Sequence, residues 1–389
     1  MNTSKTNTIL PVLLSFFVVS FVDLVGTGVD ELKQNSNTPE YLLQLIPFVA
    51  FIWFFLLSVP AGIWQAKMGK KKVLNVAILI TVIGLFVPVL GNNLPVILVA
   101  FSLLGVGNTI MQVAANPLLV DVVAEEKASS YLSLSQFIKS LGSMIGPFVA
   151  AVIGPFLASL FNYEGEGTWR FGLYLFGLIS LLSYLWLSMT KIEEKPVSED
   201  KVSISSCFKL LSNRYIALMV LGIFAVVGID VALNSNIGTF LHLKIGVGEE
   251  AAKYGKSVYF FAKMIGTFAG AIILIKWDAK KVLGISSILA ILSVIALSIT
   301  STEILAWIFV GIISLGVSNI FPLIYSITVR NYPQRANEIS GLMMMAISGG
   351  AFFPFLVGLS MEYHLNGGLW LILVLLVFIL FLRRISPSK

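Results

Sequence analysis

Twelve apolar windows, each closed off by a cluster of charge, glycine or proline, run through the 389-residue chain and restrict what it can fold into. A bilayer core of about 30 Å is crossed by roughly 20 apolar residues in a helix, whose backbone groups are all satisfied within the segment. The windows lie near residues 9–29, 41–63, 73–90, 95–120, 130–157, 171–189, 216–240, 254–275, 282–299, 304–329, 339–360 and 369–382. A soluble chain of this length has no use for so many. Hydrophobic residues make up 57% of the sequence, charged residues 12%, and the mean hydropathy is +0.92. The expected class is an all-α membrane protein with twelve transmembrane helices.

Alternate loops then fall on opposite sides, and the basic residues choose between the two orientations. With the N-terminus inside, 19 of the 26 lysines and arginines lie in inner loops and 5 in outer ones, leaving Lys139 and Lys263 within spans. Both termini are therefore expected in the cytoplasm and the protein in the bacterial inner membrane. The first window is too long for a signal peptide, holds Asp23 and precedes no small-residue cleavage pattern. A formal charge of +6 would suggest nucleic acid in a soluble chain; here it follows from the inner loops. Cys207 is the only cysteine and His242 and His364 lie far apart, so neither a disulfide framework nor a metal site is expected. No cofactor is implied beyond a coupling proton or sodium ion, and a monomer in contact with lipid is expected.

The longest polar stretch, KIEEKPVSEDKVSISSCFKLLSNR, divides the windows six and six, giving bundles at 1–190 and 215–389 joined by a cytoplasmic linker at 191–214. The halves echo each other at an offset near 210 residues. AGIWQAKMGKKKVL (61–74) matches AGAIILIKWDAKKVL (269–283), LGVGN (104–108) matches LGVSN (315–319), and GPFVAAVIG (146–154) is similar to FPFLVGLSM (353–361). Six plus six spans in parallel repeat resembles the major facilitator arrangement, which implies a midplane substrate site between the halves. AGIWQAKMGKKKV itself resembles that superfamily's loop signature between spans two and three. Its usual acid is replaced by Gln65 or Ala66, which removes one partner from the gating salt bridge the resemblance implies.

Polar residues inside the windows are few. A charge at the bilayer centre costs about 3 kcal/mol on insertion scales, so each marks a cavity or a paired scaffold. Asp23 and Thr27 are four apart; Asn108, Gln112 and Asn116 keep the same spacing; Gln136 and Lys139 are three apart; Asp230 precedes Asn234 by four and Tyr259 precedes Lys263 by four. Each set lies on one helix face. Lys139 sits about two turns from the nearest polar loop among Phe137, Ile138, Leu141 and Met144. Two acids and two lysines cancel, and the expected pairs are Lys139 with Asp23 and Lys263 with Asp230. The alternative for the lysines is a structural pair without substrate contact, and for the amides interhelical hydrogen bonding. Trp53, Phe54, Phe55, Phe321 and Tyr325 are candidates for stacking on a sugar ring, against the alternative of lipid or core packing.

MQVAANPLLVDV, SLSQFIKSLGSMIG, SNIFPLIYSI, SGLMMMAISGGAFFPFLVG, FFVVSFVDLVGTGVDELK and VGIDVALNSNIGTFL together resemble the fucose permease and glucose/galactose transporter family along nearly the whole chain. The resemblance implies a monosaccharide importer driven by protons or, in some members, sodium. It also exposes departures. The family's protonatable glutamate two residues before AANP is Gln112 here, its late first-span aspartate aligns with Thr27, and its fifth-span asparagine aligns with Lys139, while Gln136 keeps the partner glutamine and Asp230 keeps the seventh-span acid. An amide carries no proton at ordinary pH. Three routes stay open: Asp230 or Asp23 carries the proton, sodium binds a carboxylate with amide oxygens, or transport is uncoupled.

The leading reading is secondary active sugar uptake, with Gln112, Asn116, Gln136 and Lys139 from one half and Asn234, Asn319 and Tyr325 from the other contacting substrate, and Asp23 and Asp230 coupling the ion. Amides suit hydroxyl-rich solutes because each hydroxyl both donates and accepts. A second reading is an organic-anion transporter or drug exporter, in which Lys139 meets an anionic group. A reading from another class, a non-transporting sensor or membrane enzyme, lacks both an appended soluble domain and a catalytic cluster.

Overall fold

The computed structural model describes residues 3–25, 28, 32, 42, 45–163, 165, 167–194, 203–252 and 255–385. Its helices are α1 Thr3–Val19, α2 Leu45–Met68, α3 Lys70–Phe86, α4 Leu94–Val122, α5 Ala128–Phe148, α6 Gly154–Leu160, α7 Arg170–Met189, α8 Ile204–Lys209 and α9 Arg214–Phe240. They continue with α10 Glu249–Ala252, α11 Gly255–Ile273, α12 Ala279–Ile299, α13 Glu303–Val317, α14 Ile320–Asn331, α15 Ala336–Met345, α16 Gly349–Tyr363 and α17 Gly367–Ile385. Among the described residues, 10 helical stretches are long and apolar enough to cross a membrane, and two shorter apolar helices, Thr8–Leu24 and Ser257–Ile273, lie where the first and eighth spans are expected.

The helix starts follow from local chemistry. Asn93 accepts a hydrogen bond from the Val96 N–H at 3.1 Å, Asn213 from Tyr215 at 2.9 Å, and Asp278 from Lys280 at 2.9 Å, each covering donors that a helix N-terminus leaves unpaired. The interruptions are equally specific. The apolar stretch Glu303–Asn331 breaks at Ser318 and Asn319, between α13 and α14. The stretch Glu125–Leu160 widens into one π turn over Val149–Ile153 just before Pro155, and Pro333–Met361 tightens into a 3-10 turn over Ala346–Ser348. Such turns free backbone groups or redirect side chains, which a membrane helix tolerates only where neighbours cover them.

The chain divides into two compact units. The first comprises Met1–Val123 with Ile138–Ile204, and the second Ala124–Phe137 with Ser205–Lys389, so the boundary falls inside α5. In the first unit α4 is the central helix, packed on α1, α2 and α3, with α7 against α3. A Cβ at Gly105 would collide with the Ala50 carbonyl, which is why this residue has no side chain where α4 crosses α2. In the second unit α9 is central, packed on α16, α17, α14 and α11, while α12 packs on α13 and α17. Gly316, at the position of the repeat that answers to Gly105, lets α13 close on α12, where a Cβ would stand 2.9 Å from Ala290. The N-terminal half of α5 belongs to this unit through Ser129, whose hydroxyl is 2.8 Å from that of Ser326, Ser130, whose hydroxyl donates to the Ala271 carbonyl, and Glu125, paired with Arg330 at 3.0 Å.

Candidate functional site

In the second unit, α9 and α11 bring four polar side chains into register. Asp230 and Asn234 stand one turn apart on α9, Tyr259 and Lys263 one turn apart on α11. Lys263 Nζ donates to Asp230 Oδ2 at 2.6 Å and the Tyr259 hydroxyl donates to Asp230 Oδ1 at 2.8 Å, so both carboxylate oxygens are engaged. The expected Lys263–Asp230 pair is present, with Tyr259 as a third member. Its side chains are 22% and 24% exposed, whereas Tyr259 is fully buried and its carbonyl accepts from Ser314 at 2.5 Å. Asn234 is half-buried, and its Oδ1 has no hydrogen-bond partner.

Two other candidates in this unit are packed inside it. Asn319, 4% exposed, donates from Nδ2 to the Gly266 carbonyl at 2.7 Å and to Ser318 at 3.0 Å, tying the break between α13 and α14 to α11. Tyr325 is completely buried and stacks on Phe321. Gln136 is half-buried on the part of α5 that belongs to this unit.

In the first unit, Asn108, Gln112 and Asn116 form a ladder along α4. Gln112 Nε2 donates to Asn108 Oδ1 at 2.7 Å, Asn116 Nδ2 to the Gln112 carbonyl at 2.7 Å, and Asn108 Nδ2 to the Val19 carbonyl of α1 at 3.0 Å. All three are buried. The Asn108–Val19 bond joins two helices, and the other two bonds run along α4 itself. Asp23 is exposed, in a 3-10 turn over Ser20–Leu24 that continues α1. Its Oδ2 accepts from the Ser143 hydroxyl at 2.5 Å, and that hydroxyl also lies 3.0 Å from the backbone carbonyl of Lys139, whose side chain is half-buried. Thr27 lies outside the described residues. Of the aromatic candidates, Phe54 is buried, Phe55 is exposed, and Trp53 donates from its indole to Ser102 at 3.0 Å.

α4 runs on to Val122, two residues past the expected end of the fourth window, and carries Asp121. Asp121 pairs with Lys70 at 2.5 Å, and Glu194 accepts from the Lys70 and Lys71 N–H groups at 2.6 and 3.0 Å. The basic loop that lacks its signature acid thus has two acids from elsewhere. Among the described residues, no group of three His, Cys, Asp or Glu side chains could hold a metal ion.

Many apolar helices, two of them joined by an ion pair, define a multi-pass membrane protein. The chain belongs to the Major Facilitator Superfamily, whose model matches residues 12–355, and the members of that family are transporters rather than enzymes. Among curated proteins it is 28% identical to a glucose/galactose transporter of Brucella abortus over 362 residues, covering 89% of this chain and 85% of the relative. Among solved structures it superposes on the symporter FucP in the outward conformation with a TM-score of 0.86 at 18% identity, covering 99% of this chain and 100% of that one. The proton:xylose symporter XylE gives 0.74 at 16% identity, covering 99% and 96%. At these identities the structures establish the fold.

Proposed function

We propose that this chain is a secondary active transporter that imports a monosaccharide or sugar derivative by alternating access, coupled to a proton or sodium ion. It acts as a monomer with twelve spans in the bacterial cytoplasmic membrane and both termini in the cytoplasm. The observation that carries the reading is the Asp230–Lys263 pair: two opposite charges, each about a quarter exposed, on two apolar helices, α9 long enough to cross a bilayer and α11 a shorter one where the eighth span is expected. The sugar transporters among the relatives support the substrate class. The half-buried groups Gln136, Lys139 and Asn234 contact the substrate first. Gln112, Asn116, Asn319 and Tyr325, sealed among helices, set the frame that holds them, and Asp230 and Asp23 couple the ion.

Counterflow in proteoliposomes over a panel of neutral and acidic sugars, with and without a pH or sodium gradient, tests this. Accumulation that responds to one gradient is the expected result; absence of exchange for every sugar would end the reading. Lys139→Ala and Asp230→Asn should each lower transport by roughly tenfold or more while the protein still reaches the membrane, because each alters the balance of charge within a span. Normal uptake by both variants would reduce the two residues to scaffolding.

A further inference from the structure

Two lysine–carboxylate pairs lie in the described helices, and they differ in one respect. Lys70 and Asp121 are sealed, with side chains 4% and 6% exposed, whereas Lys263 and Asp230 are open at 22% and 24%. A sealed pair has no competitor for its charges. An open pair has one whenever an ion of matching sign reaches it.

The opening does not face the apolar side of α11. Phe261, Ile265, Phe268 and Ile272 form an exposed strip on this helix, each between 45% and 56% exposed. At 100° per residue Lys263 projects from the opposite side, on the strip of Tyr259, Gly266, Thr267 and Gly270, all buried. Its ammonium is therefore directed toward the polar interior of the unit, at Asp230.

Resting on the transporter reading above, we infer that the substrate is a hydroxylated monocarboxylate, a sugar acid, and that Asp230 is the internal counter-ion which the substrate carboxylate displaces from Lys263. Three features of the geometry fit an exchange of this kind. The carboxylate that leaves Lys263 is not stranded, because the buried Tyr259 hydroxyl still donates to its Oδ1 at 2.8 Å. One ammonium pairs with one carboxylate at a time, so a monocarboxylate keeps Lys263 paired while it displaces Asp230, and the negative charge then left on Asp230 falls to the Tyr259 hydroxyl and to the coupling cation that the transporter reading assigns to Asp230. One turn from Asp230 on the same helix face, the half-buried Asn234 adds an amide beside the pair. Lys263 is thus the specificity-determining cation, and return of Asp230 to it is the step that expels the substrate.

The test is equilibrium binding of glucuronate, galacturonate, glucose and galactose to the purified full-length protein, read beside proteoliposome uptake of the same four compounds. Hexuronate binding is expected to be abolished in Lys263→Gln and retained in Lys263→Arg. In Asp230→Asn, where the internal competitor is gone, it should tighten by about tenfold although net uptake slows, since release then lacks its displacing charge. A misfolded variant cannot gain affinity, and the charge-balanced double variant Asp230→Asn with Lys263→Gln supplies a folded control that must not bind hexuronate. Uptake of glucose or galactose without hexuronate binding overturns this inference and leaves the transporter reading intact. Failure of all four compounds to bind or move removes both. Weaker hexuronate binding in Asp230→Asn overturns the counter-ion role of Asp230.

Discussion

Lys70 and Asp121 meet at 2.5 Å within the first unit, and neither side chain is more than 6% exposed. The pair joins the start of α3 to the end of α4 beneath the basic run Lys70, Lys71 and Lys72, which keeps this loop at the membrane surface. Removing one partner of a sealed pair costs more than the pair itself contributes, because the remaining charge stays desolvated. Asp121→Asn should therefore destabilise the protein by about 3–5 kcal/mol. The double replacement Lys70→Met with Asp121→Leu should recover most of that loss. Thermal inactivation followed by size-exclusion chromatography in detergent measures both, and an Asp121→Asn variant as stable as the parent would contradict the account.

Asn108 spends its amide on the Val19 carbonyl and its carbonyl oxygen on Gln112, so it joins α1 to α4 and organises the ladder at once. Interhelical bonds of this type average about 0.6 kcal/mol each in membrane proteins. Asn108→Ala is expected to lower stability by about 1–2 kcal/mol, with the larger share coming from the Val19 carbonyl left without this donor. Asn108→Asp, which cannot donate to that carbonyl when ionised, should be worse than alanine. Melting curves of the two variants give the order.

These two cases show what was legible in the sequence. Spacing of four placed Asn108, Gln112 and Asn116 on one stripe, and hydropathy placed that stripe inside a span. Neither signal names a partner, and the partner of Asn108 is a backbone carbonyl of α1. The Lys263–Asp230 pair was inferable because both are isolated charges deep in apolar windows, where charge must balance. Asp121 was hidden because it sits at the edge of its window, where hydropathy cannot tell a loop residue from the last turn of a helix. Glu194 was hidden for a different reason: its partners, the N–H groups of Lys70 and Lys71, are distant in sequence and are backbone atoms that leave no trace in residue type. The break at Ser318 and Asn319 lies four residues before Pro322, whose ring excludes the helical bond to the Ser318 carbonyl, and it is stabilised by the bond from Asn319 to α11.

Cys207 on α8 gives a prediction with a defined pH window. Burial pushes its thiol up to about 11 from the ordinary thiol value near 9, the charge of Glu338 adds to the rise and Arg335 partly offsets it. Glu338 is itself buried and held by Arg335 and by the Ser206 hydroxyl at 3.0 Å. Because the folded value lies above the unfolded one, the stability this thiol contributes is complete below about pH 9 and declines as the pH rises toward 11. At pH 8 alkylation should run roughly a hundredfold slower than for an exposed cysteine, since the thiolate is the reacting form. Glu338→Gln should accelerate it and Arg335→Ala slow it. Maleimide labelling followed against pH distinguishes these signs, and rapid labelling of the parent at pH 7 would refute the assignment.

Glu194 and Gly69 give the last prediction. The Glu194 carboxylate receives the first two N–H groups of α3 at 2.6 and 3.0 Å, acting as an N-cap supplied from a distant part of the chain, just past the end of α7. Gly69 makes this approach feasible. Its backbone has φ +88 and ψ 147, a conformation that side chains rarely adopt, and a Cβ there would stand 3.1 Å from Glu194 Oε1. Glu194→Ala should cost about 1–2 kcal/mol through the lost cap, and Gly69→Ala about 1–3 kcal/mol through strain and crowding together. The crowding part exists only while the carboxylate is present, so the double variant should lose less than the two single losses combined. A thermodynamic cycle over the four proteins isolates that difference. Strict additivity would mean that Gly69 is required by its backbone angle alone, and that the carboxylate seated against it imposes no further constraint.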